Sequence, residues 1–171
     1  MDGGEFSLID SALSNLKTKK EIQQKEDKLR NEKEKKRLED LIILENEFAP
    51  MKQKFFDEII QWKNDFIKTD KFREIYKNIG SFDLTIFGSG WGHEIPCCND
   101  FGCWSKIDLK RKGNLIYLSG YKWMGIRNEF DLEKNIEIFS SIYMKKFYEH
   151  ITSGKVYESI ASQIKTFSNF G

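Results

Sequence analysis

The chain is 171 residues long, and its 28 basic and 27 acidic residues leave a formal net charge of +1. This length predicts one folded domain with a short appendage, the 39% hydrophobic content excludes global disorder, and the near-zero charge argues against a general polyanion-binding protein. No apolar run approaches the roughly 20 residues of a membrane-spanning helix, no secretory signal is visible, and three cysteines form no disulfide framework, so we expect a cytoplasmic protein without membrane contact.

Residues 7–16 carry the pattern of a short amphipathic helix. Ser7 fits an N-cap, and Asp10 stands three residues later, where a capping box places its acidic residue. Four apolar residues then fall on one helical face: Ile9, Ala12, Leu13 and Leu16. A helix this short is marginal alone. The stripe therefore predicts packing against the rest of the chain, against a second copy, or in the groove of a partner protein, and we favour association.

The next segment, residues 17–40, is dense in charge and contains no glycine or proline. Its lysine, glutamate, glutamine, leucine and arginine residues are good helix formers. A coiled-coil seam is not favoured, because Lys36 interrupts the seven-residue apolar repeat. Pro50 marks a boundary, since proline does not continue a helix without a kink. We predict a helical arm over residues 1–47, made of the short amphipathic helix and the charged helix, before an α+β globular domain over residues 48–171.

The sequence of the globular part predicts helices, then strands, then helices. Helical periodicity follows Pro50 as far as Gly80, and it returns after Asp131. Four intervening segments have strand-like alternation: residues 81–87, 104–110, 115–118 and 121–124. This order predicts an α+β fold: a long charged N-terminal helix followed by a compact domain with a small antiparallel β-meander flanked by helices.

The predicted hairpin offers a candidate nucleic-acid-binding face. Trp104, Lys106 and Lys110 share one side of an alternating strand, and Arg111 and Lys112 lie at its turn. Aromatic rings among cations stack bases and neutralise phosphates. The alternative is a solvent-facing strand whose lysines protect a sheet edge. The near-neutral chain favours this second interpretation.

One loop gathers the reactive side chains His93, Cys97, Cys98 and Cys103. Thiolates and an imidazole are ligands that suit tetrahedral zinc. Their spacing differs from the two closely spaced ligand pairs of structural zinc sites, so inert thiols are favoured. A thiol nucleophile with His93 as its base is a further alternative. We predict no cofactor, with zinc as the alternative.

We predict a non-enzymatic adaptor or accessory subunit, because the arm carries an apolar stripe and no coherent catalytic set is apparent. It would assemble with a partner protein, or with itself, through the N-terminal arm. A nucleic-acid-processing or host-defence complex is a context in which such a subunit would serve. The alternatives are a small nucleic-acid-binding module that uses the hairpin and a small thiol- or zinc-dependent enzyme centred on the cysteine loop.

Overall fold

Two units divide the chain in this computed structural model, Met1–Leu44 and Glu45–Gly171. The structure describes residues 3–79, 84–88, 102–107, 116–121 and 127–169. It describes side chains within residues 6–79, 84–88, 132–137 and 139–169.

A single helix, α1 (Gly3–Phe48), replaces the two helices expected at the start of the chain. No glycine or proline occurs between Gly4 and Pro50, so nothing in the backbone interrupts it. The capping-box pattern at Ser7 does not begin a helix, because α1 already runs through it. Pro50 ends α1 by way of a short 3₁₀ turn, Ala49–Met51. The helical character of the predicted arm is confirmed, and its short amphipathic helix and charged helix form one continuous helix.

The second unit contains four further helices: α2 (Lys52–Phe66), α3 (Asp70–Ile79), α4 (Ser141–Thr152) and α5 (Lys155–Ser168). The helix expected from Asp131 begins ten residues later. Two 3₁₀ turns intervene, Leu132–Lys134 and Ile136–Ile138, and Ser140 then accepts a hydrogen bond from the Tyr143 N–H at 3.0 Å as the N-cap of α4.

Among the side chains that the structure describes, helices supply most of the core of this unit. α4 buries half of its twelve residues, and α2 adds Phe55, Ile59, Lys63 and Phe66. Among the strands, β1 contributes Leu84, Ile86 and Phe87 to the buried set. The Phe87 ring stacks on the Phe147 ring of α4, with centroids 5.1 Å apart and planes 7° apart. Such aromatic pairs stabilise the fold by about 0.5–1.5 kcal/mol beyond the area that they bury.

Backbone pairing joins four antiparallel strands in chain order: β1 (Leu84–Gly88), β2 (Gly102–Ile107), β3 (Ile116–Tyr121) and β4 (Arg127–Asp131). The register sets Leu84 opposite Ile107, and Ile107 opposite Ile116. The expected fourth strand at 121–124 is displaced to Arg127–Asp131.

The outer edge of β1 is closed by a side chain of α5. The Gln163 Oε1 atom accepts a hydrogen bond from the Thr85 N–H at 2.9 Å, and its Nε2 group donates to the Thr85 carbonyl. One carboxamide thus makes the two bonds that a neighbouring strand would make. This contact protects the edge from pairing with another chain.

The predicted fold class, with a compact domain containing a small antiparallel β-meander flanked by helices, needs correction. Of the residues whose side chains the structure describes, 88% are helical and β1 is the only strand. The core described above comes from the helices and β1. Strand-like alternation identifies extended backbone but does not decide which elements bury the most surface. A compact antiparallel β-meander domain is therefore wrong, whereas the long N-terminal helix fits the prediction.

Candidate functional site

An exposed apolar stripe lies on α1 within the first unit. Phe6, Ile9, Leu13 and Leu16 are 61%, 54%, 48% and 50% exposed. Their spacing of three, four and three residues places them on one side of the helix, and Ala12, which is also exposed, lies beside them. In residues 6–44 no side chain is buried. We call the four large side chains the α1 stripe.

The sequence predicted three of these four side chains and missed the first. Phe6 precedes Ser7, the predicted N-cap, and so falls outside the predicted short helix. Because α1 begins at Gly3, Phe6 lies inside the helix and extends the stripe by one turn. Its three-residue spacing from Ile9 was the available signal.

The α1 stripe ends at Leu16, and the opposite face of the helix carries isolated apolar side chains of similar exposure. Residues that continue its spacing beyond Leu16 are all polar: Lys20, Gln23, Asp27 and Arg30. Ile22 and Leu29 are 52% and 53% exposed, much like the stripe. At about 100° per residue they lie on the other side of α1. Exposure alone therefore does not distinguish the stripe, whereas its continuity does.

The structure leaves the two other predicted sites untested. The backbones of Trp104, Lys106 and Cys103 lie on β2, where Trp104 is opposite Ser119. The remaining predicted residues lie outside the described part of the chain: His93, Cys97, Cys98, Lys110, Arg111 and Lys112. Within the described residues, no group of three or more histidine, cysteine or acidic side chains is arranged to hold a metal.

His150 ties three elements of the second unit together. Its Nε2 atom lies 3.1 Å from the Ser159 hydroxyl of α5, and the Phe87 ring of β1 is 5.2 Å from the imidazole. Burial is the main cause of a lowered pKa, partly opposed by a hydrogen bond to the Ile86 backbone. A hydroxyl and an imidazole at this distance match a nucleophile–base pair, yet their contacts link α4, α5 and β1. We assign the pair a structural role.

Two charged contacts hold buried backbone and side-chain groups in the second unit. Glu45 accepts hydrogen bonds from the Ser141 and Ile142 N–H groups at 2.7 and 3.2 Å, at the start of α4. Carboxylates are favoured there because the first N–H groups of a helix lack partners within it. Lys63, only 3% exposed, places its Nζ atom 3.0 Å from Glu133 Oε1. Both contacts give a charged or polar group in the buried part of the unit a hydrogen-bond partner.

Lys52 lies near the carboxylates of Glu45 and Glu137. Burial lowers the pKa of its ammonium, while the negative charges of Glu45 and Glu137 partly offset that effect.

None of the helices in the described part of the chain is both long enough and apolar enough to span a bilayer.

No protein-family model, curated protein or solved structure matches the chain. Function is therefore inferred from the residues and their geometry.

Proposed function

We propose that this protein is a non-enzymatic adaptor or accessory subunit that assembles through its N-terminal helix. The observation that carries the proposal is the α1 stripe: four large apolar side chains in a continuous row, each about half exposed. Within the first unit the helix is the only described element, so that unit offers no second element to cover the row. Amphipathic helices of this kind bind other helices or apolar grooves.

The size of the stripe supports modest, reversible binding. Completing the burial of four half-exposed side chains contributes about 1 kcal/mol each, or about 4 kcal/mol together. Association also costs rotational and translational freedom. Polar neighbours along the rest of α1 would therefore have to add specificity, and the dense charges of residues 17–40 provide them.

A cytoplasmic location belongs to the same proposal. Its support is the odd number of cysteines in a chain whose composition indicates no disulfide framework.

Paired substitutions in the full chain test the adaptor function. We expect Ile9→Gln with Leu13→Gln to weaken association, measured by sedimentation equilibrium and by recovery of a co-purifying partner from the native host. The matched control is Ile22→Gln with Leu29→Gln, which removes similarly exposed side chains of the same types from the other face. Far-UV circular dichroism and thermal melting should be unchanged in both variants.

Two results would contradict this proposal. Equal loss of association in both variants would show that the row has no special role. A fall of several degrees in melting temperature for the stripe variant alone would show that these side chains belong to a folded core.

A further inference from the structure

We propose that the α1 stripe pairs with the same stripe of a second copy of this chain, with the two helices antiparallel. The inference rests on the adaptor function proposed above and names the partner. Phe6, Ile9, Leu13 and Leu16 have the alternating three- and four-residue spacing of core positions in a two-helix coiled coil. An antiparallel copy sets Phe6 opposite Leu16 and Ile9 opposite Leu13. Each apolar side chain then faces an apolar side chain.

Charge complementarity selects the antiparallel orientation. All charged side chains in residues 1–16 are acidic: Asp2, Glu5 and Asp10. All charged side chains in residues 17–20 are basic: Lys17, Lys19 and Lys20. In the antiparallel pair the sequence positions of Asp2 and Glu5 come level with Lys20 and Lys17 of the second copy, so the acidic segment lies beside the basic one. A parallel, in-register pair would instead set acid against acid and base against base, which is destabilising.

The polar continuation of the seam limits the overlap. Beyond Leu16, a longer parallel coiled coil would set Asp27 against Asp27 and Arg30 against Arg30 in its core. The antiparallel overlap ends where the basic segment meets the helix start, from Gly3 to Lys20. Those residues span about 27 Å. An interface of this length is at the small end of specific interfaces, below about 1,200 Å² in total, so the dimer should be weak and dependent on concentration.

Charge reversals in the full-length protein test the orientation. The first variant carries Lys17→Glu, Lys19→Glu and Lys20→Glu, and the second carries Asp2→Lys and Glu5→Lys. We expect each to raise the dimer dissociation constant by about tenfold or more in sedimentation equilibrium. Combining all five changes in one chain restores complementarity between antiparallel copies, so its dissociation constant should return to within about threefold of the original.

A matched control reverses three other exposed lysines of α1, with Lys28→Glu, Lys33→Glu and Lys36→Glu. It should leave the dissociation constant unchanged. Circular dichroism of every variant checks that α1 remains helical. Unchanged dimerisation in either single set, or failure of the combined variant to recover, would overturn the antiparallel arrangement.

Photocrosslinking identifies the orientation of the two α1 helices in the dimer directly. With p-benzoylphenylalanine at position 6, a mixture of isotope-labelled and unlabelled chains should give crosslinks between copies to the peptide that contains Leu16. Crosslinks to the region of residue 6 would show a parallel pair, and crosslinks within one chain to residues 45–171 would show intramolecular packing. Either result overturns the proposal.

Failure of this inference is distinguishable from failure of the adaptor function. A chain that stays monomeric at every concentration overturns self-pairing. The comparison of Ile9→Gln and Leu13→Gln with their control then decides separately whether the stripe captures a different protein.

Discussion

Helices α1 and α4 both carry apolar side chains at helical spacing, but those side chains have different environments. In α4, Tyr143, Met144 and Phe147 are fully buried among α2, β1 and the turn before α4. In residues 6–44 of α1, comparable side chains are about half exposed. Periodicity therefore identifies the helix in both cases, and a second packed element decides whether the apolar face becomes core or binding surface.

The largest effect expected from this contrast comes from one substitution at two places. Phe147→Ala should lower the free energy of unfolding by about 3–5 kcal/mol, because it removes a fully buried ring and leaves a cavity. Phe6→Ala makes the same chemical change at a side chain that is 61% exposed, and it should change stability by less than about 0.5 kcal/mol. Urea unfolding of the two variants measures both values. Similar losses would show that α1 and α4 do not differ as described.

A smaller effect is expected at the contact between Glu45 and the start of α4. Glu45→Ala leaves the Ser141 and Ile142 N–H groups without their acceptor, so the free energy of unfolding should fall by about 1–2 kcal/mol. Glu47→Ala is the control, because Glu47 is an exposed residue on the same helix. Denaturant midpoints measure the difference. Equal midpoints would show that the contact between Glu45 and the start of α4 does not stabilise the fold.

Substitution of Gln163 should lower the free energy of unfolding by slightly less than substitution of Glu45. Gln163→Glu removes the donor to the Thr85 carbonyl and brings a carboxylate oxygen near that carbonyl, which costs about 1 kcal/mol. Ser162→Glu adds the same charge one residue earlier at an exposed position and serves as the control. Thermal melting compares the two, and a concentration-dependent increase in light scattering would report pairing at the opened edge of β1.

Which of these contacts the sequence can predict depends on how local they are. The spacing of Ile9, Leu13 and Leu16 predicted the stripe, because it lies within one helix. Glu45 and Ser141 are 96 residues apart, and neither carries a local signal of the other. The start of α4 was misplaced for the same reason: Asp131 and Ser140 are both suitable N-caps, and tertiary packing selects Ser140.

Local sequence patterns also do not show whether helices or strands bury more side chains. Alternation in residues 81–87 indicates a strand, but it does not show that helices supply most of the buried side chains in the described part of the chain. Within the candidate site, the failure to predict Phe6 as part of the stripe has a simpler cause. A capping-box pattern at Ser7 competed with helix continuity, and the absence of glycine and proline after Gly4 allowed the helix to continue.

A pH effect on stability is expected at His150 in the second unit. The pKa of His150 is lowered by burial, so the unfolded chain binds a proton more readily than the folded chain. The stability that neutral His150 contributes is therefore present above about pH 6.5, the usual value for histidine, and is lost as pH falls below it. His150→Gln should flatten the stability profile in this window. An unchanged profile would show that another group causes any acid loss.

The smallest expected change in stability follows from removing most of the first unit. Deleting residues 1–37 retains residues 38–44 and the whole of Glu45–Gly171, including Glu45 and its contacts with α4. Every side chain that the structure describes as buried lies in the retained part, because none in residues 6–44 is buried. The melting temperature should therefore change by less than about 2 °C, while association is lost with the stripe. Differential scanning calorimetry and sedimentation equilibrium on the same samples measure the two effects. A collapse in melting temperature would mean that the deleted helix stabilises the fold, and the adaptor function would lose its main support.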